Sequence, residues 1–268
     1  MDCQFMRLTG YPEPDSALAN SQMYRIRFTH NLKYCELYAR CEKEWAHWIE
    51  QLGRIMIRTD FHDRFVVKKV LSEGAFAKVY LSLNSQDNKL YAVKAISKAS
   101  LQRQCKCKCK CKAAMMSEIN ILRDLSHPNL KRLHDVDETK DSVYLVCEYL
   151  DGGTLSEYLQ ASEDLLSADR VISIMLDILC GLQSLEEKGV LHRDIKPDNI
   201  MLSQASATAS GSLQLKICDF GLVCYSDVDQ YLFTRCGTPG YVSPEVLKAV
   251  SKDAASRLTS LATPSALA

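Results

Sequence analysis

The 268 residues contain no stretch near the ~18 consecutive apolar side chains that a membrane-crossing helix requires. Met1 to Gly10 also lacks the basic-then-apolar order of a secretory leader, so a cytoplasmic location is expected. Neither sign of charge is in excess, since 33 Lys and Arg stand against 33 Asp and Glu. No long-range field is left to hold a polyanion, and nucleic acid is not an expected partner. Tryptophan is confined to Trp45 and Trp48. No Cys-x-x-Cys pair accompanies the run in which Cys105, Cys107, Cys109 and Cys111 alternate with Lys106, Lys108, Lys110 and Lys112. Four ammonium groups repel an incoming cation, so this run is expected as a solvated surface loop rather than a thiolate metal cluster. What the chain does have is apolar residue, 47% of the total, enough to bury the core of one or two domains.

Tyr24 to Phe28 and Tyr34 to Ala39 alternate as strands do, and Trp45, Trp48, Ile49, Leu52 and Met56 then recur at helical spacing. Two strands leading into an amphipathic, tryptophan-bearing helix resemble the end of a pleckstrin-homology domain, over about half of such a domain. An unrelated amphipathic extension is the other reading of the same pattern. The expected boundaries are a partial pleckstrin-homology-like segment over 20–58 and a linker over 59–64. Early strands carrying phosphoinositide-binding basic residues are missing from the resemblance, so membrane lipid binding is not inferred.

Phe65 to Leu71, Ala77 to Leu83 and Leu90 to Ile96 read as three successive strands, with Asn84 to Asn88 as a hairpin turn. Met115, Ile119 and Leu122 mark a helix. Val171, Ile174, Met175, Ile178, Leu182 and Leu185 mark a longer buried one, capped by Ser167 and ended at Gly189. Val143 to Val146 is a further apolar strand, and Ser203 to Ser212, rich in Ser and Ala, reads as a flexible loop between two short strands. Strands first and helices later predict an α+β fold with a small sheet lobe and a helical lobe.

Three blocks then carry the chemistry: His192-Arg193-Asp194-Ile195-Lys196-Pro197-Asp198-Asn199, Asp219-Phe220-Gly221 and Ser243-Pro244-Glu245. In that order they rarely arise by chance, and they supply a base, a cation and two metal-binding side chains for phosphoryl transfer. On these residues the chain resembles a eukaryotic-type protein kinase. Lys196, with Cys236-Gly237-Thr238-Pro239-Gly240-Tyr241, resembles the serine/threonine class. The resemblance covers 65–246 and implies a two-lobed kinase fold, ATP and Mg2+, and a protein substrate bearing a Ser or Thr hydroxyl.

What the resemblance implies for single residues is as follows. Asp194 is the base that orients and accepts the substrate hydroxyl proton, and Lys196 reaches the transferring phosphate. Asn199 and Asp219 offer hard oxygen ligands to magnesium. Thr238 bonds the catalytic Asp and Lys. Leu71-Ser72-Glu73-Gly74-Ala75-Phe76-Ala77-Lys78-Val79 is the lid over the nucleotide, retaining only Gly74 of three usual glycines. Leu71, Ser72, Gly74, Ala77 and Val79 are thus nucleotide-binding residues. Ala92 and Lys94 share one face of their strand by alternation, the alanine against adenine and the ammonium toward the phosphates. Glu118 lies on the apolar stripe of its helix, where a carboxylate needs a partner, and Lys94 is that partner. Backbone groups of Glu148 and Leu150 pair with adenine, with Cys147 limiting the back pocket. Thr234 matches an activation-loop phosphorylation site addressed by an activating kinase, and Arg193 receives its phosphate. Thr154 stands where relatives preferring an upstream arginine place a glutamate; Asp198 keeps one acidic group nearby.

The pattern breaks after Glu245. Leu247 to Ala268 is rich in Ala, Ser, Leu and Thr, and the Asp-x-Trp helix of the family is absent, so the large lobe is expected to be incomplete and 247–268 a disordered tail. Two functions follow: a magnesium-dependent serine/threonine kinase, or a catalytically weak nucleotide-binding or scaffolding protein. A membrane- or partner-binding module built on the amino-terminal segment is a third.

Overall fold

A computed structural model describes residues 6–14, 23–30, 33–74, 77–100, 108–162, 166–203, 214–226 and 236–244. The expected tail at 247–268, all but Ser203 of the expected loop over 203–212, and Thr234 lie outside the described residues. Contacts divide the chain into two units: residues of 1–111 with 133–149, and residues of 112–132 with 150–268.

In the first unit, strand β1 (Arg7–Pro14) pairs antiparallel with β2 (Tyr24–His30), which pairs with β3 (Lys33–Ala39). Alternation turns Ile26 and Phe28 to one face, where they pack with Leu8, Trp45 and Ile49 beneath helix α1 (Glu42–Gly53). Strand β1 is not legible from pattern because Gly10, Pro12 and Pro14 interrupt it. The register is irregular between Gly10 and Pro14, and its far side pairs only at Arg7 and Leu8, so the prolines cost no ladder bond there. Trp48, predicted on the apolar stripe, is 47% exposed; Trp45, Ile49 and Leu52 at i, i+4 and i+7 already fill that face. Met56 lies beyond the helix but is buried.

The expected linker over 59–64 is instead folded, with a strand just before it and a helical turn over most of its length. Strand β4 (Ile57–Arg58) pairs parallel with β1, and helical turn α2 (Phe61–Arg64) buries Phe61, which stacks on Tyr144 at 3.9 Å between centroids. A linker is read from polarity, and here the polar residues are buried in ion pairs. Arg64, 3% exposed, bonds Asp135 at 2.7 Å, Asp137 at 2.6 Å and Asp60 at 3.1 Å, while Arg58 bonds Asp60 at 2.7 Å. Beyond it run β5 (Phe65–Glu73), β6 (Ala77–Asn84), β7 (Leu90–Ser97), β8 (Leu133–Glu138) and β9 (Ser142–Glu148). Among the described residues one nine-stranded sheet results, in the order β3-β2-β1-β4-β8-β9-β7-β6-β5. Glu138 ties its two parts by accepting Arg7 and Lys98, each at 2.7 Å.

Helix α3 (Lys108–Asp124), most of which belongs to the second unit, begins inside the Cys-Lys run, so the latter half of that run is helix backbone rather than loop. Met116, Ile119 and Leu122 are buried along α3, with Met115 only half-buried. Helix α4 (Leu155–Ala161) starts on a capping box: Thr154 Oγ1 accepts from Glu157 N, and Thr154 N donates back to the Glu157 carboxylate. Helix α5 (Ala168–Glu187) is capped by Ser167, whose hydroxyl accepts from Arg170 N, and gives way to a left-handed Gly189. Its expected burial holds for Ile174, Ile178 and Leu185, with Met175 and Leu182 half-buried, but Val171 is 44% exposed. An apolar pattern all round a helix does not say which side is covered. Short pairs complete the unit: β10 (Val190–Leu191) with β13 (Cys224–Tyr225), and β11 (Ile200–Ser203) with β12 (Gln214–Ile217).

Candidate active site

Three of the sequence-predicted residues surround the Asp194 carboxylate on the loop after β10. Thr238 Oγ1 donates to Asp194 Oδ1 at 2.7 Å, and Asn199 Nδ2 donates to Asp194 Oδ2 at 2.8 Å. Lys196 Nζ donates to Thr238 Oγ1 at 2.7 Å and lies 3.3 Å from Asp194 Oδ2. Burial opposes ionisation of Asp194, yet the hydrogen bonds from Thr238 and Asn199 and the Lys196 ammonium outweigh it and hold the carboxyl below its usual range. An ionised, immobilised carboxylate can orient a hydroxyl and take its proton once the oxygen loses electron density.

A local reason exists for each placement. Pro197 opens a 3-10 turn, Pro197–Asn199, that returns Asn199 toward Asp194, where its amide also bonds the Asp194 main-chain carbonyl at 2.8 Å. With both N–H groups spent on Asp194, Asn199 Oδ1 is left to bind a cation. Asp219 follows directly, because Cys218 N donates to Asn199 O at 2.8 Å. Its backbone is left-handed, φ 58°, and its side chain is exposed. One amide and one carboxylate oxygen, both hard donors, fit magnesium, which keeps waters and substrate phosphates as its other ligands. Gly237 brings Thr238 in: at φ 108° a side chain is strained, and a Cβ there would stand 3.0 Å from Arg193 O.

His192 is a supporting group that sequence reasoning left without a role. It is buried, accepts from Asp194 N through Nδ1 and so donates through Nε2 to Cys218 O at 3.0 Å. Burial pushes its imidazole below the ordinary value and keeps it neutral. One ring thereby joins the backbone before Asp219 to that of Asp194. Arg193, left-handed at φ 67°, donates its Nε to Leu222 O at 2.6 Å.

In the first unit, register brings several of the residues expected at the nucleotide onto one face. Ser72 opposes Val79, Val79 opposes Lys94 and Lys94 opposes Leu145, forming one row across the sheet. Leu81, Ala92 and Cys147 form the next row on the same face. The other face carries Tyr91, Val93 and Val146 against Phe61 and Phe65. Leu71 is exposed on β5, Gly74 N closes the turn to Ala77 O at 2.9 Å, and Glu148 pairs with Tyr91 at the end of β9. Leu150, in the second unit, is buried. Lys94 lies in the first unit, and half-buried Glu118 on α3 in the second.

The protein kinase domain family matches residues 65–262. The chain belongs to the protein kinase family. Human serine/threonine-protein kinase ULK1 is 36% identical over 202 residues, which are 74% of this chain and 18% of that protein. Mouse serine/threonine-protein kinase DCLK3 is 34% identical over 72% of this chain and 23% of its own length. CBL-interacting protein kinase 2 of Oryza sativa subsp. japonica is 32% identical over 77% and 43% respectively. The chain thus spans less than half the length of these curated relatives. Read as a kinase, Asp194, Lys196, Asn199 and Thr238 converge within one unit, Asp219 sits one peptide away, and Ala92 and Lys94 share a sheet face in the other.

Proposed function

We propose that this kinase-family chain transfers the γ-phosphoryl group of ATP to a Ser or Thr hydroxyl of a protein. The observation carrying the proposal is the Asp194–Thr238–Lys196 triangle closed by Asn199. Asp194 accepts a hydrogen bond from the substrate hydroxyl and takes its proton as the new P–O bond forms and ADP leaves. Lys196, held by Thr238 and 3.3 Å from Asp194, sets positive charge beside the transferring group. Asn199 and Asp219 hold Mg2+, which when bound neutralises charge on the phosphates. Ser72, Gly74 and Ala77 cover the nucleotide; Leu71, Val79 and Ala92 enclose the adenine, whose edge meets the backbone of Glu148 and Leu150. Lys94 holds the phosphates and pairs with Glu118. Thr234 is the site at which an activating kinase acts, its phosphate received by Arg193. The segment before β5 is the closing part of a pleckstrin-homology-like unit, a reading supported by three antiparallel strands with Trp45 of α1 packed on them.

Transfer of radiolabelled phosphate to a generic basic protein tests this. Asp194→Asn is expected to lower transfer by about 10²-fold or more while leaving ATP-induced thermal stabilisation in place. Thr234→Ala, assayed in parallel, should lower transfer after treatment with an activating kinase. ATP binding without transfer, indifferent to Asp194→Asn, would select a nucleotide-binding scaffold instead.

A further inference from the structure

Strand β12 is four residues long and has one strand neighbour, yet its outer edge is fully bonded. Leu215 N donates to Asp177 Oδ2 at 2.9 Å, and Leu215 O accepts from Asn129 Nδ2 at 2.9 Å. One step further, Ile217 N donates to Asn129 O at 2.8 Å, and Ile217 O accepts from Lys131 N at 2.9 Å. Alternate residues of an antiparallel strand turn their backbone groups away from the partner, so these four bonds act as a missing third strand. Two come from the main chain of the turn after α3, and two from side chains. Asn129 itself is buried, its N–H held by His127 Nδ1 at 3.1 Å. The junction is close because of Gly181 on α5: a Cβ there would meet Ile217 Cδ1 at 2.9 Å and Asn129 O at 3.0 Å.

We propose that Asn129 and Asp177 are positioning residues for Asp219. Resting on the kinase reading, the inference is that these two side chains lock β12 in register, so that its next peptide meets the catalytic loop correctly. That peptide is Cys218, whose N–H bonds Asn199 O and whose carbonyl accepts from His192. Asp219 follows at once and must face the oxygen of Asn199 to share a cation. A strand of four residues has few bonds of its own to resist a slip, and a slip of one residue turns every side chain to the other face. Neither positioning residue touches the ion or the nucleotide in this scheme; each acts through β12.

The full chain is assayed for phosphate transfer against Mg2+ concentration at saturating ATP. Asn129→Ala and Asp177→Ala are expected to raise the Mg2+ needed for half-maximal rate by about tenfold, as loss of an outer-shell partner does, with the KM for the protein substrate unchanged. Amide exchange at Leu215 and Ile217 should quicken in both. Asp177→Asn keeps an acceptor oxygen and should restore the wild-type Mg2+ midpoint. A folded Asn129→Ala protein that melts lower but keeps the wild-type midpoint overturns the proposal, since Asn129 would then only stabilise. Should Asn129→Ala fail to fold, an unchanged midpoint in Asp177→Ala overturns it equally. If the wild-type chain transfers no phosphate, the kinase reading fails separately, and the Mg2+ midpoint of ATP-induced thermal stabilisation then decides the role of both residues by the same comparison.

Discussion

Thr238 occupies a position that motif order assigns and geometry explains. Its hydroxyl donates to Asp194 and accepts from Lys196, so it depresses the carboxyl and fixes the ammonium beside it. Replacing it by Val removes the donor while keeping the shape. Because that donor holds the Asp194 carboxyl down, its loss lets the carboxyl rise, and the acid limb of kcat against pH should move to higher pH in Thr238→Val. A fall of about 10²-fold in kcat is expected at neutral pH, with Thr238→Ser returning both quantities toward wild type. An acid limb that stays in place would show that Thr238 does not tune Asp194. The chemistry-bearing residues were legible because their types follow from the reaction. His192 was not: its value lies in bonding Cys218 O and Asp194 N, backbone atoms that carry no letter in the sequence.

Elements were legible where apolar residues run through a whole strand or helix, as in β7 or α5, and hidden where burial is offset by charge pairing rather than by apolar area. The 59–64 segment is the clearest case. Arg58, Asp60 and Arg64 look like linker chemistry, yet with Asp135 and Asp137 they form a buried ion cluster across α2, β4 and β8. Arg64→Met should cost about 3–5 kcal/mol at pH 8, because it takes the guanidinium from Asp135 and the fully buried Asp137, while Asp60 keeps Arg58. Burial pushes the Asp137 carboxyl up to about 7 against the pull of Arg64, with Asp60 and Asp135 adding to the rise. Its folded value lies above its unfolded one, so folding takes up a proton between them. That contribution is complete below about 4 and is lost as pH rises toward 7. Chemical denaturation from pH 4 to 8 should therefore show a slope in the wild type that Asp137→Asn flattens, and a penalty for Arg64→Met that shrinks on the acid side. A pH-independent penalty would remove Asp137 from the account.

At the scale of the whole molecule, the amino-terminal segment has its own apolar core but shares a sheet with the kinase strands, and the bonds that join them among the described residues include the two β1–β4 pairs, the β4–β8 pair, the Thr9–Thr59 hydroxyl bond and the Arg7–Glu138 bridge. Removing residues 1–56 should lower the melting temperature by several degrees yet leave ATP-induced stabilisation intact, since Val79, Ala92 and Lys94 lie on strands that pair among themselves. Loss of nucleotide response in that variant would make the segment part of the site. No described helix is long and apolar enough to cross a membrane. The sequence by itself determined the family, the reactive residue types and the periods of the main strands and helices, because side-chain chemistry and alternation are local properties. Only tertiary structure decided that a polar linker is a buried charge cluster, that part of an apolar helix faces water, and that Asn129 and Asp177 close the edge of β12. Those outcomes depend on which distant backbone groups need partners, and no local pattern encodes that need.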